Sequence, residues 1–346
     1  MPEVWADPPA AWQDFPFPEW AIPESLERWK TEREKVHATM IECLGDLPPR
    51  PCPSKVKTLT REDKGNYWLE TFEFHNGIDS LVPGILLIPK EIRGQAPAII
   101  GLHGYGGSAH TICTLSDNPQ CVGPMLTKSG YVVAGIDTYF CGARNPKGRK
   151  GADSPEKYRG ADEGTSYRIN KWFGRSLWGL MQRDQQCLID YLETRSEVDA
   201  NAIGVTGMSM GGTGSWWLAA VDDRIKAVVS VAGFTRYEEL LAIHKSRLHA
   251  IYYFVPNILQ HFETEAIYSL IAPRPMLQLS GDRDAGLPLQ GIEILERKVS
   301  EAYKLYGKEP NFHSIVYENT AHEYLPEMQL AMLQWFQKHL PSANKQ

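Results

Sequence analysis

The pattern of apolar and polar positions changes near Ala96. Before that residue, Glu24–Leu44 carries apolar residues at helical spacing, and three strand-like segments follow it. We read these segments, 56–60, 67–75 and 81–88, as strands joined by short turns. The first part of the chain therefore predicts a helix followed by an antiparallel meander at one edge of a sheet.

After Ala96, short apolar segments alternate with longer segments of helical periodicity. This alternation is typical of a mostly parallel sheet with helices on both faces, and it places the chain in the α/β class. The predicted strands are 98–102, 131–136, 203–206, 227–231, 276–280 and 313–317, and the predicted helices are 119–129, 177–195, 210–221, 288–306 and 326–340. The last helix carries Leu330, Leu333, Phe336 and Leu340 on one face.

The lengths of the connections indicate how the chain is divided. We expect residues 1–55 to form an N-terminal arm and helical extension, and residues 56–342 to form one large domain. Two connections, 138–176 and 234–274, are too long to be simple turns. Because long connections at strand ends usually build a pocket, we expect these two to form a cap over the sheet.

Composition and charge narrow the range of partners. The chain has 346 residues, a net charge of -6 and a pI near 6.0, so nothing in its charge favours nucleic acid or an anionic membrane. No apolar run approaches the roughly 18 residues that cross a bilayer, and the first residues lack the pattern of a signal peptide. These observations predict a cytoplasmic protein that binds neither nucleic acid nor membranes.

The cysteines and histidines do not form a metal-binding pattern. The six cysteines are scattered without a C-x-x-C pair, and His322-Glu323 is followed by Tyr-Leu-Pro, so the zinc-protease sequence H-E-x-x-H is not present. We therefore predict no metal.

The segment Ile203–Gly211 carries the clearest chemical signal. A short apolar strand leads into Gly207-Met208-Ser209-Met210-Gly211, and a helical segment follows, which is the pattern of a nucleophile elbow. The sharp turn holds the serine in a strained backbone conformation, and glycines flank it because strand and helix approach closely. A serine hydroxyl is a poor nucleophile at neutral pH, so the motif requires a base and an acid elsewhere in the chain.

Two later loops supply candidates for that acid and base. The strand 276–280 leads into Gly281-Asp282-Arg283-Asp284, where we prefer Asp284 as the acid because Asp282 resembles a turn-forming residue. The last strand leads into a polar loop with His322, which we predict to be the base. Two solvated turn aspartates and a surface histidine are the alternative interpretation.

A glycine-rich turn after the strand 98–102 reads His-Gly-Tyr-Gly-Gly. Such a turn brings backbone N–H groups close to a substrate, and we predict that the amides of Tyr105 and Met210 form an oxyanion hole. The turn could instead hold a phosphate, but neither G-x-G-x-x-G nor a Walker sequence is present.

The connection 138–176 contains more Arg and Lys than Asp and Glu, in a chain that is acidic as a whole. A solvated surface explains most such segments. The sharper hypothesis is that Arg144 or Arg168 binds an acidic or polyhydroxylated substrate, with Tyr139 among the aromatic residues that line its pocket.

The motifs H-G-Y-G-G, G-M-S-M-G-G, G-D-R-D-A-G-L-P and A-H-E together resemble the α/β-hydrolase superfamily, over roughly residues 24–340. The branch that they resemble contains dienelactone hydrolases and acetyl xylan esterases. The order Ser, Asp, His is that of this superfamily. In the deacetylating esterases Gln follows the serine, whereas Met210 stands here, and Cys141-Gly142-Ala143-Arg144 occupies the place of their R-G-Q motif. Dienelactone hydrolases usually employ Cys as the nucleophile.

The resemblance implies a serine hydrolase with an α/β-hydrolase fold. It would cleave carboxylic esters through an acyl-enzyme, without a cofactor, and its substrates would be small-molecule or carbohydrate esters, acetylated ones among them. A peptidase or amidase of the same fold is an alternative, because the triad does not distinguish the leaving group. A non-catalytic ligand-binding protein on the same scaffold is a third hypothesis.

Overall fold

A nine-stranded mixed sheet forms the centre of the computed structural model, which describes residues 16–51, 55–145, 162–243 and 248–342. The strands are β1 Lys57–Asp63, β2 Tyr67–His75, β3 Leu81–Pro89, β4 Ala96–Leu102, β5 Val132–Ile136, β6 Val198–Met208, β7 Ile225–Val231, β8 Met276–Gly281 and β9 Phe312–Tyr317. Their order in the sheet is β1-β2-β3-β5-β4-β6-β7-β8-β9. The pairs β1–β2, β2–β3 and β3–β5 are antiparallel, and the pairs from β5 to β9 are parallel.

Helices surround this sheet. They are α1 Leu26–Leu44, α2 Ala109–Cys113, α3 Gly123–Lys128, α4 Glu163–Trp172, α5 Leu177–Leu192, α6 Met210–Val221, α7 Tyr237–Ala242, α8 Thr264–Ser269, α9 Leu289–Leu305 and α10 Pro326–His339. Every residue of β4 and of β5 is buried, so both faces of the sheet are covered at its centre. This arrangement confirms the predicted α/β class with antiparallel N-terminal edge strands. No helix among the described residues is long and apolar enough to cross a bilayer.

The N-terminal extension packs onto the main core. Ser25 caps α1 by accepting a hydrogen bond from the Arg28 amide at 3.3 Å, and Gly45 ends the helix with φ 96°. Trp29 and Met40 are fully buried in the same apolar cluster as the strands. Helix α1 therefore contributes to the core of the domain. Residues 1–15 of the predicted arm lie outside the described residues.

The last helix shows where the apolar pattern was misleading. Its buried residues are Met328, Met332, Trp335 and Phe336, whereas Leu330 is 54% exposed. The predicted face was wrong at Leu330, because the methionines fill the sheet-facing side and rotate the stripe. The structure also has two helices, α2 and α4, where the sequence pattern did not predict any.

Candidate active site

Ser209 lies in the sharp turn between β6 and α6. Its backbone has φ 59° and ψ -119°, a conformation that L-residues rarely adopt. The strain is held from both sides, because the Ser209 amide donates to the Val231 carbonyl at 2.9 Å and its own carbonyl accepts from the Thr213 amide at 2.9 Å. The turn projects the residue beyond the carboxyl end of the central strands, where parallel sheets place their sites.

The two flanking glycines leave room for this turn. A Cβ atom on Gly207 would lie 2.5 Å from the Leu102 carbonyl oxygen, and a Cβ on Gly211 would overlap the same oxygen. The end of β4 therefore presses against the elbow so closely that neither position can carry a side chain. This is the steric reason for the spacing of the glycines in the sequence.

We expect Gly211→Ala to lower the free energy of unfolding by about 3 kcal/mol, because the added methyl meets backbone atoms that cannot move aside. Urea denaturation measures the change. Gly164→Ala is the matched control, since its Cβ would meet no atom closer than 3.4 Å, and we expect its stability to stay within about 1 kcal/mol of the original. Equal stability of both variants would contradict the steric argument.

Asp284 and His322 form the second part of the site. The loop after β8 and the loop after β9 bring them together, and His322 Nδ1 lies 2.6 Å from Asp284 Oδ2. Asp284 is buried, and its other oxygen accepts from the Gly286 amide at 2.9 Å. The His322 side chain is 47% exposed. A buried carboxylate therefore orients an accessible imidazole, which is the arrangement that a catalytic base requires.

Asp282 has a different role in the same loop. Its Oδ1 accepts a hydrogen bond from the Thr320 amide at 3.0 Å, and the Asp282 amide donates to the Tyr317 carbonyl at 3.1 Å. The side chain thus ties the loop after β8 to the loop after β9. Of the two candidate acids, Asp284 contacts His322, whereas Asp282 links the loop after β8 to the loop after β9.

The hydrogen bond with Asp284 raises the pKa of His322, and burial of the ring opposes this effect. A general base acts only when it is neutral, so kcat/KM is expected to fall as the pH decreases through a pKa above the ordinary imidazole value of about 6.5. A pH profile of kcat/KM with a neutral ester measures this limb. A limb below the ordinary imidazole value would contradict the proposed coupling of His322 to Asp284.

Tyr105 and Met210, whose amides are predicted to form the oxyanion hole, both line the cavity that Ser209 lines. Met210 is the first residue of α6, so its amide has no intrahelical acceptor. The loop that carries Tyr105 is fixed by the buried His103, whose Nε2 accepts from the Thr138 amide at 3.2 Å while Nδ1 lies 2.8 Å from the Gly104 carbonyl. These contacts define a neutral ring with the proton on Nδ1, and burial lowers the pKa of His103 in agreement.

A cavity of about 570 Å³ unites these groups. Ser209, Met210, Asp284, His322 and Tyr105 all line it. The rest of the lining comes from the loop after β8, from residues 248–250, 252 and 253 of the second long connection, and from Thr213, Ala232 and Ala321. The loops after β4, β8 and β9, the second long connection and the elbow thus converge on one space that is large enough for a small ester.

Two of the predicted substrate contacts lie elsewhere. Arg144 is buried, donates to Asp184 Oδ2 at 2.8 Å and to Ser80 Oγ at 3.0 Å, and lies 3.8 Å from the centre of the Tyr139 ring. Tyr139 is also buried, and its hydroxyl donates to Asp79 Oδ1 at 3.0 Å. Both side chains are therefore engaged in the interior, and this geometry does not support the predicted contact of Arg144 or Tyr139 with substrate.

Arg168 is exposed on α4 and is not among the described residues that line the cavity. The basic residues between 146 and 161 lie outside the described residues. The same helix nevertheless reaches the site through Glu163, whose Oε2 accepts from the Tyr105 hydroxyl at 3.0 Å. Burial and the nearby Glu163 carboxylate raise the pKa of Tyr105 to about 12.

Sequence reasoning missed several residues of the cavity wall. His249 lines it and stacks on Tyr253 with ring centres 4.2 Å apart, and burial lowers the pKa of His249. Tyr252 lines it as well and stacks on Tyr105 at 5.9 Å. The aromatic run 252–254 was the one signal in the sequence, whereas nothing around His249 marked it. Among the described residues, His, Cys, Asp and Glu side chains do not gather in groups of three or more that could hold a metal ion.

Solved structures share this architecture at low sequence identity. A "putative acetyl xylan esterase" from Bacteroides fragilis NCTC 9343 aligns with a TM-score of 0.73 and 19% identity, and the match covers 97% of this chain and 89% of that one. A glucuronoyl esterase from Solibacter usitatus aligns with a TM-score of 0.68 and 17% identity over 92% of this chain and 98% of that one. These likenesses show the α/β-hydrolase fold.

Sequence comparisons identify the family. The "Putative hydrolase YtaP" of Bacillus subtilis (strain 168) is 32% identical over 289 residues, which cover 80% of this chain and 89% of that relative. A family model described as an abhydrolase family matches residues 14–329. Since that match spans most of the sequence, the chain belongs to this abhydrolase family.

Proposed function

We propose that this protein is a serine esterase that cleaves carboxylic esters through an acyl-enzyme. The observation that carries the proposal is the 2.6 Å contact between His322 Nδ1 and Asp284 Oδ2 at the rim of the cavity that Ser209 lines. A carboxylate-oriented imidazole and a strained serine that line one cavity are the groups that a triad needs to activate a hydroxyl.

In the first half of the reaction, Ser209 Oγ attacks the ester carbonyl carbon while His322 Nε2 removes the hydroxyl proton. The carbonyl electron pair moves onto oxygen, and the amides of Tyr105 and Met210 donate hydrogen bonds to this oxyanion. As the carbonyl re-forms, the bond to the alcohol oxygen breaks. The departing alcohol takes the proton from His322 and leaves an acyl group on Ser209.

In the second half, water replaces the alcohol. His322 removes a proton from the water as its oxygen attacks the acyl carbon, and the same amides stabilise the second oxyanion. The bond to Ser209 Oγ then breaks, His322 returns the proton to the serine, and the carboxylic acid leaves. Asp284 keeps the imidazole in the correct tautomer throughout and stabilises its cationic form.

We infer that carbohydrate esters are among the substrates. Tyr105, Tyr252 and Tyr253 line the cavity, and aromatic rings are surfaces on which sugar rings can pack. The names of the similar structures support the same class, since one is called an acetyl xylan esterase and another a glucuronoyl esterase. Met210 occupies the position after the serine, where deacetylating esterases carry Gln, so we extend the inference to carbohydrate esters beyond acetates.

A fluorophosphonate probe combined with a substrate panel tests the proposal. The intact protein is expected to form a covalent adduct on Ser209, located by peptide mass spectrometry, and to hydrolyse esters from a panel of acetylated sugars, lactones and aryl esters. Absence of both labelling and turnover would reject the esterase. Faster hydrolysis of aminoacyl amides than of matched esters would assign the peptidase activity instead.

A further inference from the structure

Electric charge in the cavity is unevenly distributed. Among the described lining residues Asp284 is the one carboxylate, and it is already engaged by His322. The other ionisable groups, apart from tyrosines, are His249, His322 and Arg283. Arg283 is therefore the one permanently cationic side chain among the described lining residues, because burial lowers the pKa of His249 and His322 acts as a base in its neutral form.

Among the described residues, Arg283 lacks the carboxylate partner that Arg144 and Arg236 have. Arg144 pairs with the Asp184 carboxylate and Arg236 with the Glu265 carboxylate. In the described part of the chain, the Arg283 guanidinium instead donates from Nη2 to the side-chain amide oxygen of Asn319, and no carboxylate forms an ion pair with it. A neutral acceptor occupies one N–H donor and leaves the other donors of the exposed guanidinium available to a ligand.

The position of Arg283 is fixed by the loop that carries His322. The Arg283 amide donates to the Thr320 carbonyl at 2.9 Å, and Asn319 adopts φ 54° at the tip of that loop. The neighbouring Asp282 carboxylate accepts from the Thr320 amide, and it interacts with Arg283 through space without forming an ion pair among the described residues. The side chain is exposed at the rim, one residue away from Asp284 in the chain.

We propose that Arg283 binds a carboxylate on the substrate and so directs the enzyme to esters that also carry a free acid group. This inference rests on the proposed esterase function and names its substrate class. A guanidinium can hold a carboxylate through two parallel hydrogen bonds, which adds orientation to affinity. It also replaces the predicted roles of Arg144 and Arg168 with that of an arginine that lines the cavity.

Matched ester pairs test the proposal from both ends of the substrate. On the acyl side, mono-4-nitrophenyl adipate is compared with 4-nitrophenyl hexanoate. On the alcohol side, 4-acetoxybenzoate is compared with 4-acetoxybenzamide. The measured quantity is the ratio of kcat/KM for the acidic ester to that for its neutral partner. A preference confined to one pair shows on which side of the ester the acid group lies.

In Arg283→Met this ratio is expected to fall about tenfold or more in the preferred pair, chiefly through KM, because a charge-assisted hydrogen bond is lost. Arg283→Lys is expected to recover part of it. Arg93→Met is the control for net charge. Arg93 is exposed in the connection that precedes the amino end of β4, whereas the cavity lies at the carboxyl ends of the parallel strands. An unchanged ratio in Arg283→Met, or an equal fall in Arg93→Met, would overturn the proposal.

Binding measurements keep this test separate from the esterase proposal. Isothermal titration of adipate into Ser209→Ala and into the Ser209→Ala/Arg283→Met double variant needs no turnover. We expect the affinity to drop about tenfold in the double variant, and equal affinities would reject the role of Arg283. If adipate binding depends on Arg283 but the protein hydrolyses none of the esters, only the esterase proposal is rejected.

Discussion

Ser209→Ala is expected to lower kcat for ester hydrolysis by about 10⁶-fold, to the residual rate that binding and the oxyanion donors supply. The variant keeps the amides proposed for the oxyanion hole and the His322–Asp284 pair but has no oxygen to form the proposed acyl-enzyme. Steady-state hydrolysis of 4-nitrophenyl acetate measures the loss. The fold should persist, since alanine replaces one hydroxyl in a turn whose backbone bonds to Val231 and Thr213 remain.

Ser215→Ala supplies the matched control on the same helix. Ser215 is buried, and its hydroxyl donates to the Gly211 carbonyl at 2.7 Å, so its replacement removes one internal hydrogen bond and no reacting atom. We expect Ser215→Ala to lower stability by about 1 kcal/mol while it keeps most of the activity. Retention of full activity by a well-folded Ser209→Ala protein would exclude Ser209 as the nucleophile.

Sequence reasoning predicted best those parts of the molecule where close steric contacts determine which residue types are allowed. Gly207 and Gly211 mark the elbow because the Leu102 carbonyl leaves no room for a Cβ, and this constraint is visible as spacing alone. Strand positions were also predicted well, since β2 spans the predicted 67–75 and β8 begins at the predicted Met276. Period and turn chemistry are local properties, so one sequence suffices to read them.

Contacts between side chains that are distant in the sequence could not be predicted in the same way. Arg144 looked like a substrate ligand within a basic segment, but its partner Asp184 lies on α5, forty positions along the chain. Whether a charged side chain is buried depends on what the fold brings to it, and no local pattern carries that information. The same limit applies to His249, which reaches the cavity from a long connection whose path only the tertiary structure defines.

The choice between Asp282 and Asp284 as the acid depended partly on local pattern and partly on long-range contacts. Residue types and the turn after β8 narrowed the acid to two positions, and the preference for Asp284 relied on the reach of its side chain. The structure supports that preference with a physical distinction: Asp284 is buried against His322, whereas Asp282 accepts from the Thr320 amide. Which carboxylate faces the imidazole depends on how two distant loops meet, so activity measurements are the direct test.

We expect Asp284→Asn to reduce kcat by about 10⁴-fold, because an amide donates where the carboxylate accepted and so favours the wrong tautomer of His322. Asp282→Asn is the matched control. Its side-chain oxygen can still accept from the Thr320 amide, so kcat is expected to change by less than about tenfold. Steady-state kinetics of both variants on the same ester measure the difference.

The pH profile adds a readout that a merely structural role would not change. The hydrogen bond to Asp284 is the main cause of the raised pKa of His322. The acid limb of kcat/KM should therefore shift to lower pH in the residual activity of Asp284→Asn and stay in place in Asp282→Asn. The reverse pattern, with the shift and the larger loss in Asp282→Asn, would make Asp282 the acid and would require the loops after β8 and β9 to rearrange before catalysis, since Asp284 is the carboxylate that holds the imidazole here.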